Sequence, residues 1–363
     1  MNFKKLGLLF LALVIVFTLG ACAAQNQPNQ QGGEQTQQGG DAAGKDILLN
    51  GAGSSFVNPL LQRMIPDYAN AKGVKVNYQS IGSGGGIQQL IKKTVDFAAS
   101  DAPMKEDEIN QAGGNVLHIP VTLGGVAVTY NLEGVDKLKL TPQVLGEIYT
   151  GKITKWNDKK ITDINPGVNL PDEEIKVTHR SDGSGTTYIF TSYLNAAVPE
   201  IWGDNLVGKS IEWPVEGIGA KGNEGVAGQI QNEPGTIGYV ELAYVIENKM
   251  TAVELQNKDG NFVAPTLETV SAAAAGAVAN MPEDMKISLV NQPGANSYPI
   301  VGTTWLLVYE NSPMDKERTQ QVVDFLKYAV TEGQKFAEEL QYAPLPKEIQ
   351  DLDVKQLDKV QVK

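Results

Sequence analysis

The sequence predicts an α/β protein of two lobes, on three observations. Apolar runs of strand length repeatedly end in a glycine-rich turn and resume with helical spacing, the pattern of mixed sheets flanked by helices. From Asp46 onward the chain has globular composition over about 320 residues, more than one hydrophobic core usually holds. Two long apolar runs, 116–132 and 298–309, read as strands that leave the first lobe for a second and return.

The chain begins with Lys4 and Lys5, an apolar run from Leu6 to Leu19, and Gly20-Ala21-Cys22. That is a charged region, a short hydrophobic region and a small-residue cleavage site, and the run is too short to span a bilayer comfortably. Leu19-Gly20-Ala21-Cys22 resembles the lipobox of bacterial lipoproteins, which implies a signal peptide over 1–21, lipidation of Cys22 with fatty acids such as palmitate, and an anchor on the membrane. An ordinary secretory leader with an incidental cysteine is the alternative. Residues 23–45 are rich in Gln, Gly, Asn and Ala and carry little to bury, so 22–45 is expected to be a lipidated Cys and a disordered tether reaching about 25 Å. Cys22 is the sole cysteine, which excludes an intrachain disulfide and a thiolate metal cluster. Loss of Lys4 and Lys5 with the leader takes the net charge from −12 to −14. So acidic a chain offers no basic footprint for nucleic acid. If it binds an anion, local donors must do so against the overall field.

In the first lobe, Ile47 to Asn50 is a strand and Gly51-Ala52-Gly53-Ser54-Ser55-Phe56 a turn. A helix with Leu60, Leu61, Met64, Ile65 and Tyr68 on one face follows, and Pro66 is expected to kink or end it. Val74 to Ile81 is a second strand, followed by Gly82-Ser83-Gly84-Gly85-Gly86 and a helix with Ile87, Leu90 and Ile91. Val95 to Ser100 is a third strand and delivers Asp101 to the same edge. Ser55, Ser83 and Asp101 thus fall at strand ends, where α/β sheets bind ligands. Asp101 has two readings. It caps a helix beginning near Pro103, or it accepts a proton from a ligand that has one to give, as hydrogen phosphate does and sulfate at neutral pH does not.

In the second lobe the informative stretch is Arg180-Ser181-Asp182-Gly183-Ser184-Gly185-Thr186-Thr187, between the strand from Ile175 to Thr178 and a helix opening at Tyr188. Unpaired N–H groups and the dipole of a helix start favour an oxyanion there. Glycines let the backbone come close, Arg180 supplies a two-pronged donor, and Asp182 is near enough to hold it. A capped surface loop, with Asp182 or Ser184 as the N-cap, is the plainer alternative. The helix is expected to bury Ile189, Phe190, Tyr193, Leu194 and Ala197. Gly217-Ile218-Gly219-Ala220-Lys221-Gly222 matches dinucleotide spacing but lacks a leading apolar strand, and reads as a close-packed turn before a short helix. The alanine-rich run Ser271 to Ala279 is expected to pack on a sheet, the run from Lys316 to Leu340 to bury one stripe, and the charged tail after Pro346 to lie at the periphery. His118 reads as a core histidine and His179 as a strand residue at the cleft rim. A serine hydrolase or phosphatase is weighed against a binder, but neither Ser83 nor Ser184 has glycine at both minus two and plus two.

Taken together, Gly51 to Phe56, Ile81 to Gly86, Val95-Asp96-Phe97-Ala98-Ala99-Ser100-Asp101-Ala102-Pro103 and Arg180 to Thr186 resemble the phosphate-binding subunit of bacterial phosphate ABC importers. Ile148 to Trp156, Gly235 to Glu241 and Leu340 to Pro346 support the likeness, which spans about Gly51 to Pro346. The resemblance implies a two-lobed periplasmic-binding-protein fold of type II with a two-strand hinge: lobe 1 from 46–121 and 298–363, lobe 2 from 122–297. It implies no catalysis, no cofactor and no metal, but inorganic phosphate held in the cleft by a monomer. Delivery would be to the membrane permease of a phosphate ABC transporter, from a lipid anchor on the outer face of the cytoplasmic membrane. By position, it implies that Ser55 donates through hydroxyl and backbone, Phe56 through its N–H and Ser83 through its hydroxyl, while Asp101 accepts the ligand's proton. In lobe 2, Arg180 would pair with the ligand, Asp182 orient Arg180, and Ser184, Gly185 and Thr186 donate at the helix start. Serine at 55, where the family often has threonine, keeps the hydroxyl. Sulfate, molybdate or a phosphonate are the other oxyanions to consider.

Overall fold

A computed structural model describes residues 47–278 and 281–362. The leader 1–21, Cys22 and the tether to residue 45 lie outside the described residues. One side of the main sheet is built from β1 (Leu48–Gly53), β2 (Lys75–Ser80) and β3 (Phe97–Ser100), with β1 central and parallel to both neighbours. The helices α1 (Asn58–Lys72), α2 (Ser83–Ile91) and α3 (Glu106–Ala112) follow these strands. The 15-residue β4 (Val116–Tyr130) runs from this side into the other.

On the other side, α4 (Pro142–Tyr149) precedes β5 (Lys176–Arg180), α5 (Gly185–Ala197), β6 (Gly217–Ala220) and α6 (Gly222–Asn232). Then come β7 (Thr236–Glu241), α7 (Leu242–Glu247) and α8 (Leu267–Val278). The chain returns as β8 (Val301–Tyr309), followed by α9 (Lys316–Val330) and α10 (Lys347–Leu357). The strand order is β2-β1-β3-β8-β4-β7-β5-β6. Residues Val116–Gly125 of β4 pair antiparallel with β8, and Val126–Tyr130 pair antiparallel with β7. Every residue of β4 and β8 is buried, which is why both read as unbroken apolar runs.

Several expectations need correction. β1 continues through Gly51 to Gly53, so the turn begins only at Ser54. A side chain at Gly51 would strike the ring of Phe97, which makes the glycine a packing requirement within the strand. Pro66 does not end α1, because Pro66 and Gln62 are both exposed and the carbonyl deprived of its partner is open to water. The run Ser83 to Gly86 is already helix, with only Gly82 outside it as the N-cap. α3 starts at Glu106 with Lys105 as its N-cap, so Asp101 caps nothing. Gly217 to Ala220 is an edge strand parallel to β5, not a turn. The tail after Pro346 is no mere periphery, since α10 buries Ile349, Asp353 and Leu357.

Other expectations stand. α5 buries Ile189, Phe190, Tyr193 and Leu194, while Ala197, the last residue of the helix, is only half-buried. α8 sets Val270 against Gly125 of β4. His118 is a satisfied core residue: Nε2 accepts from the Met104 N–H at 3.0 Å and Nδ1 lies 3.1 Å from the Val116 carbonyl. Burial, helped by the Lys286 charge, pushes its pKa from 6.5 to about 4. The folded state therefore binds fewer protons, and the stability this neutral ring contributes is complete above pH 6.5 and is lost as pH falls toward 4. The loss amounts to about 3 kcal/mol at most. Chemical denaturation at pH 7.5 and 4.5 is expected to show His118→Gln losing less stability between the two pH values than the parent; equal losses would contradict this assignment.

Candidate functional site

The carboxyl ends of β1, β3 and β5 and the starts of α2 and α5 converge, and the sequence expectations Ser55, Ser83, Asp101, Arg180, Ser184 and Thr186 all lie there, each buried. The two sides touch. Gly84 N–H donates to the Gly183 carbonyl at 2.8 Å. A Cβ on Gly185 would lie 2.4 Å from both Asp101 Oδ2 and Ser83 Oγ, so no other residue fits between those groups. Gly82, at a φ of +79° that disfavours a side chain, brings the α2 start to the Arg180–Asp182 pair: a Cβ there would be 2.3 Å from Asp182 Oδ2.

The Arg180 side chain is only 1 % exposed. Its Nε and Nη2 donate to Asp182 Oδ1 and Oδ2, both at 2.7 Å, and Nη1 donates to Thr186 Oγ1 at 3.4 Å. Burial alone would raise the Asp182 carboxyl, but Arg180 and the Gly222 N–H at 3.2 Å together hold it below its usual value. A bidentate partner of this kind fixes the guanidinium plane and leaves its remaining N–H groups for a guest.

Across from it, Asp101 accepts from three hydroxyls: Ser54 at 2.5 Å and Thr304 at 2.6 Å on Oδ1, and Ser83 at 3.2 Å on Oδ2. Burial pushes its pKa up, against these bonds and the Arg180 charge. The Ser83 hydroxyl also accepts from the Asp101 N–H at 3.1 Å. Ser184 is the N-cap of α5, its Oγ accepting from Thr187 N–H at 3.0 Å, while its own N–H is held by the Lys209 carbonyl at 2.8 Å. The Phe56 N–H is engaged by Ser54 Oγ at 3.0 Å. Both capping and clustering therefore hold for Ser184, whereas Asp182 serves the guanidinium.

Neither histidine meets a site hydroxyl. His179 is half-buried and stacks on Trp213 at 4.8 Å between ring centroids, and His118 is bonded as described above. Among the described residues no group of three or more His, Cys, Asp or Glu is placed to hold a metal ion. What the arrangement offers is a fixed cation, several hydroxyls and one buried acceptor where two surfaces meet.

A family model described as a PBP superfamily domain matches residues 25–332. The phosphate-binding protein PstS of Xylella fastidiosa is 41 % identical over 347 residues, covering 94 % of each chain, and that of Pasteurella multocida is 44 % identical over 304 residues, covering 83 % of this chain and 87 % of its own. The chain belongs to the phosphate-binding protein PstS family, within the PBP superfamily. The fold agrees: a periplasmic phosphate-binding protein solved with phosphate, 22 % identical, superposes with a TM-score of 0.69 over 84 % of this chain and 92 % of that one. This PstS-family chain accordingly has the two-lobed, type II periplasmic-binding-protein architecture, with mixed sheets flanked by helices.

Three neighbours of the site in this family member escape sequence reasoning. Ser54 lies inside a motif already noted, but its bond to Asp101 spans 47 residues. Thr304 reaches the same oxygen because Trp305 pairs with Ser100 across the β8–β3 ladder. Asn223, at the start of α6, donates to Ser55 Oγ and Thr186 Oγ1. Only the glycine-rich stretch before Asn223 gave any sign of a tightly packed helix start. Because a methyl at 185 has no room, Gly185→Ala is expected to part the two surfaces, seen as a larger radius of gyration in small-angle scattering and a stability loss of about 1–3 kcal/mol. An unchanged radius and stability would show that the contact is looser than described.

Proposed function

We propose that the chain binds inorganic phosphate between its lobes and delivers it to the membrane permease of a phosphate ABC transporter. The observation that carries this reading is the buried Arg180, clamped by Asp182 and facing Asp101 and Ser83 across a contact only glycine permits. In this reading Arg180 pairs with the anion. The hydroxyls of Ser55 and Ser184 and the helix-start groups of Gly185 and Thr186 donate to it, the Ser83 hydroxyl turns its one proton from Asp101 to the anion, and the Phe56 N–H divides between Ser54 and the anion. Asp101 takes the proton of hydrogen phosphate, which sulfate lacks at neutral pH. The lobes are 46–121 with 298–363, and 122–297, and the chain crosses near Val121 and Tyr298. Sharing of β4 between β8 and β7 supports the first crossing. Each lobe holds part of the donor set, so the bound anion draws them together in a hinge closure. The protein works as a monomer, tethered through lipidated Cys22 to the outer face of the cytoplasmic membrane.

Isothermal titration with phosphate is expected to show Arg180→Ala binding at least about 100-fold more weakly, the cost of losing a buried, hydrogen-bonded charge partner. Unchanged affinity would displace the site. Asp101→Asn is expected to weaken phosphate binding and to narrow the preference for phosphate over sulfate in competition; a preference equal to the parent's would remove the proton-accepting role of Asp101.

A further inference from the structure

Asn223 is fully buried, and each of its side-chain hydrogen-bonding directions toward the site is accounted for. Its Oδ1 accepts the Glu241 backbone N–H at 3.0 Å; since an N–H can only donate, this fixes which end of the amide faces the site. The Nδ2 then donates to two hydroxyl oxygens, Ser55 Oγ and Thr186 Oγ1, each at 3.0 Å, and the Asn223 N–H donates to Ser55 Oγ as well, at 3.0 Å.

A hydroxyl has one proton and two lone pairs. Both lone pairs of Ser55 Oγ are occupied by Asn223, one by its N–H and one by its amide. Those of Thr186 Oγ1 are occupied by Asn223 and by Arg180 Nη1 at 3.4 Å. Neither oxygen can accept anything further, and among the described residues neither O–H has a protein acceptor, so both protons are available to a guest. Ser55 follows β1 on one side of the molecule while Thr186 opens α5 on the other, so the same amide ties the two sides together.

We propose that Asn223 is a positioning residue that sets the polarity of the phosphate site, forcing the Ser55 and Thr186 hydroxyls to act as donors only and joining the lobes through them. This rests on the phosphate reading above. It adds that these two hydroxyls turn away a proton presented to them, which leaves Asp101 as the acceptor for that of hydrogen phosphate. Asn223 itself does not touch the anion in this account.

The test is phosphate titration of the parent, Asn223→Asp, Asn223→Ala, Ser55→Ala, and Asn223→Ala combined with Ser55→Ala. Asn223→Asp has the same shape but replaces the donor by an acceptor, which turns both O–H groups away from the anion and adds a negative charge. It is expected to bind phosphate at least about 100-fold more weakly. Asn223→Ala is expected to bind about tenfold more weakly in the parent, and that loss should shrink severalfold once Ser55 has no hydroxyl to orient. A purely structural Asn223 would cost the same with or without the Ser55 hydroxyl. Binding by Asn223→Asp within threefold of the parent overturns the proposal, as does an Asn223→Ala loss that Ser55→Ala leaves undiminished. The alanine cycle decides alone if Asn223→Asp does not fold. Failure of the parent itself to bind phosphate would instead overturn the phosphate reading.

Discussion

Arg180 and Asp182 are two residues apart where the lobes meet, the guanidinium withdrawn from water and the carboxylate partly so. A buried guanidinium without a carboxylate would be costly, and a buried pair contributes little to stability for its own sake. What the pair supplies is direction. With Nε and Nη2 locked on both Asp182 oxygens, the plane of the guanidinium is set, and Nη1 falls on Thr186 at the start of α5. Asp182 is in turn tied to the start of α6 through Gly222. The orientation of one cation thereby fixes two helix starts relative to the β5 end that carries it.

Everything that faces this pair depends on how near the other lobe can come. Gly84 against Gly183 and Gly185 against Ser83 and Asp101 are backbone-close contacts. They bring a carboxylate with a raised pKa opposite a cation, lined by hydroxyls whose lone pairs are already used. The chain carries a net charge of −12, and Asp101 and Asp182 add two carboxylates beside the single Arg180. Charge balance therefore cannot be the source of affinity for an anion. Fixed dipoles can be: hydroxyls, amides and helix starts at short range, in a site shielded from water, act more strongly than the distant field of the surface.

The sequence was most legible where local chemistry decides the outcome. The strand, turn and helix periods placed α1, α5, β4 and β8, and the Arg180 to Thr186 stretch announced an oxyanion site because a helix start, two glycines and an arginine are adjacent in the chain. It was least legible where a partner lies far along the chain. Thr304 joins Asp101 across 203 residues only because β8 returns beside β3, and Asn223 joins Ser55 across 168. No period in the sequence reports such registers. Glycine misled in both directions. In β1 it is a strand residue required by the Phe97 ring, and in α2 it forms the first helical turn, where its poor propensity is outweighed by the need for close approach to Gly53, Ile81 and Gly183. Pro66 misled because its exposure, which makes it tolerable, is a property of the packed helix.

The decisive measurement is the structure of the complex with phosphate. The anion is expected enclosed between the lobes, with Arg180 donating to one of its oxygens, another oxygen within hydrogen-bond distance of Asp101, and the Ser55 and Thr186 hydroxyls donating while still bonded to Asn223. Phosphate bound out of reach of Arg180, for example in the 130 Å³ cavity between α5 and β8 that Asp101, Tyr188 and Lys286 help to line, would contradict this placement.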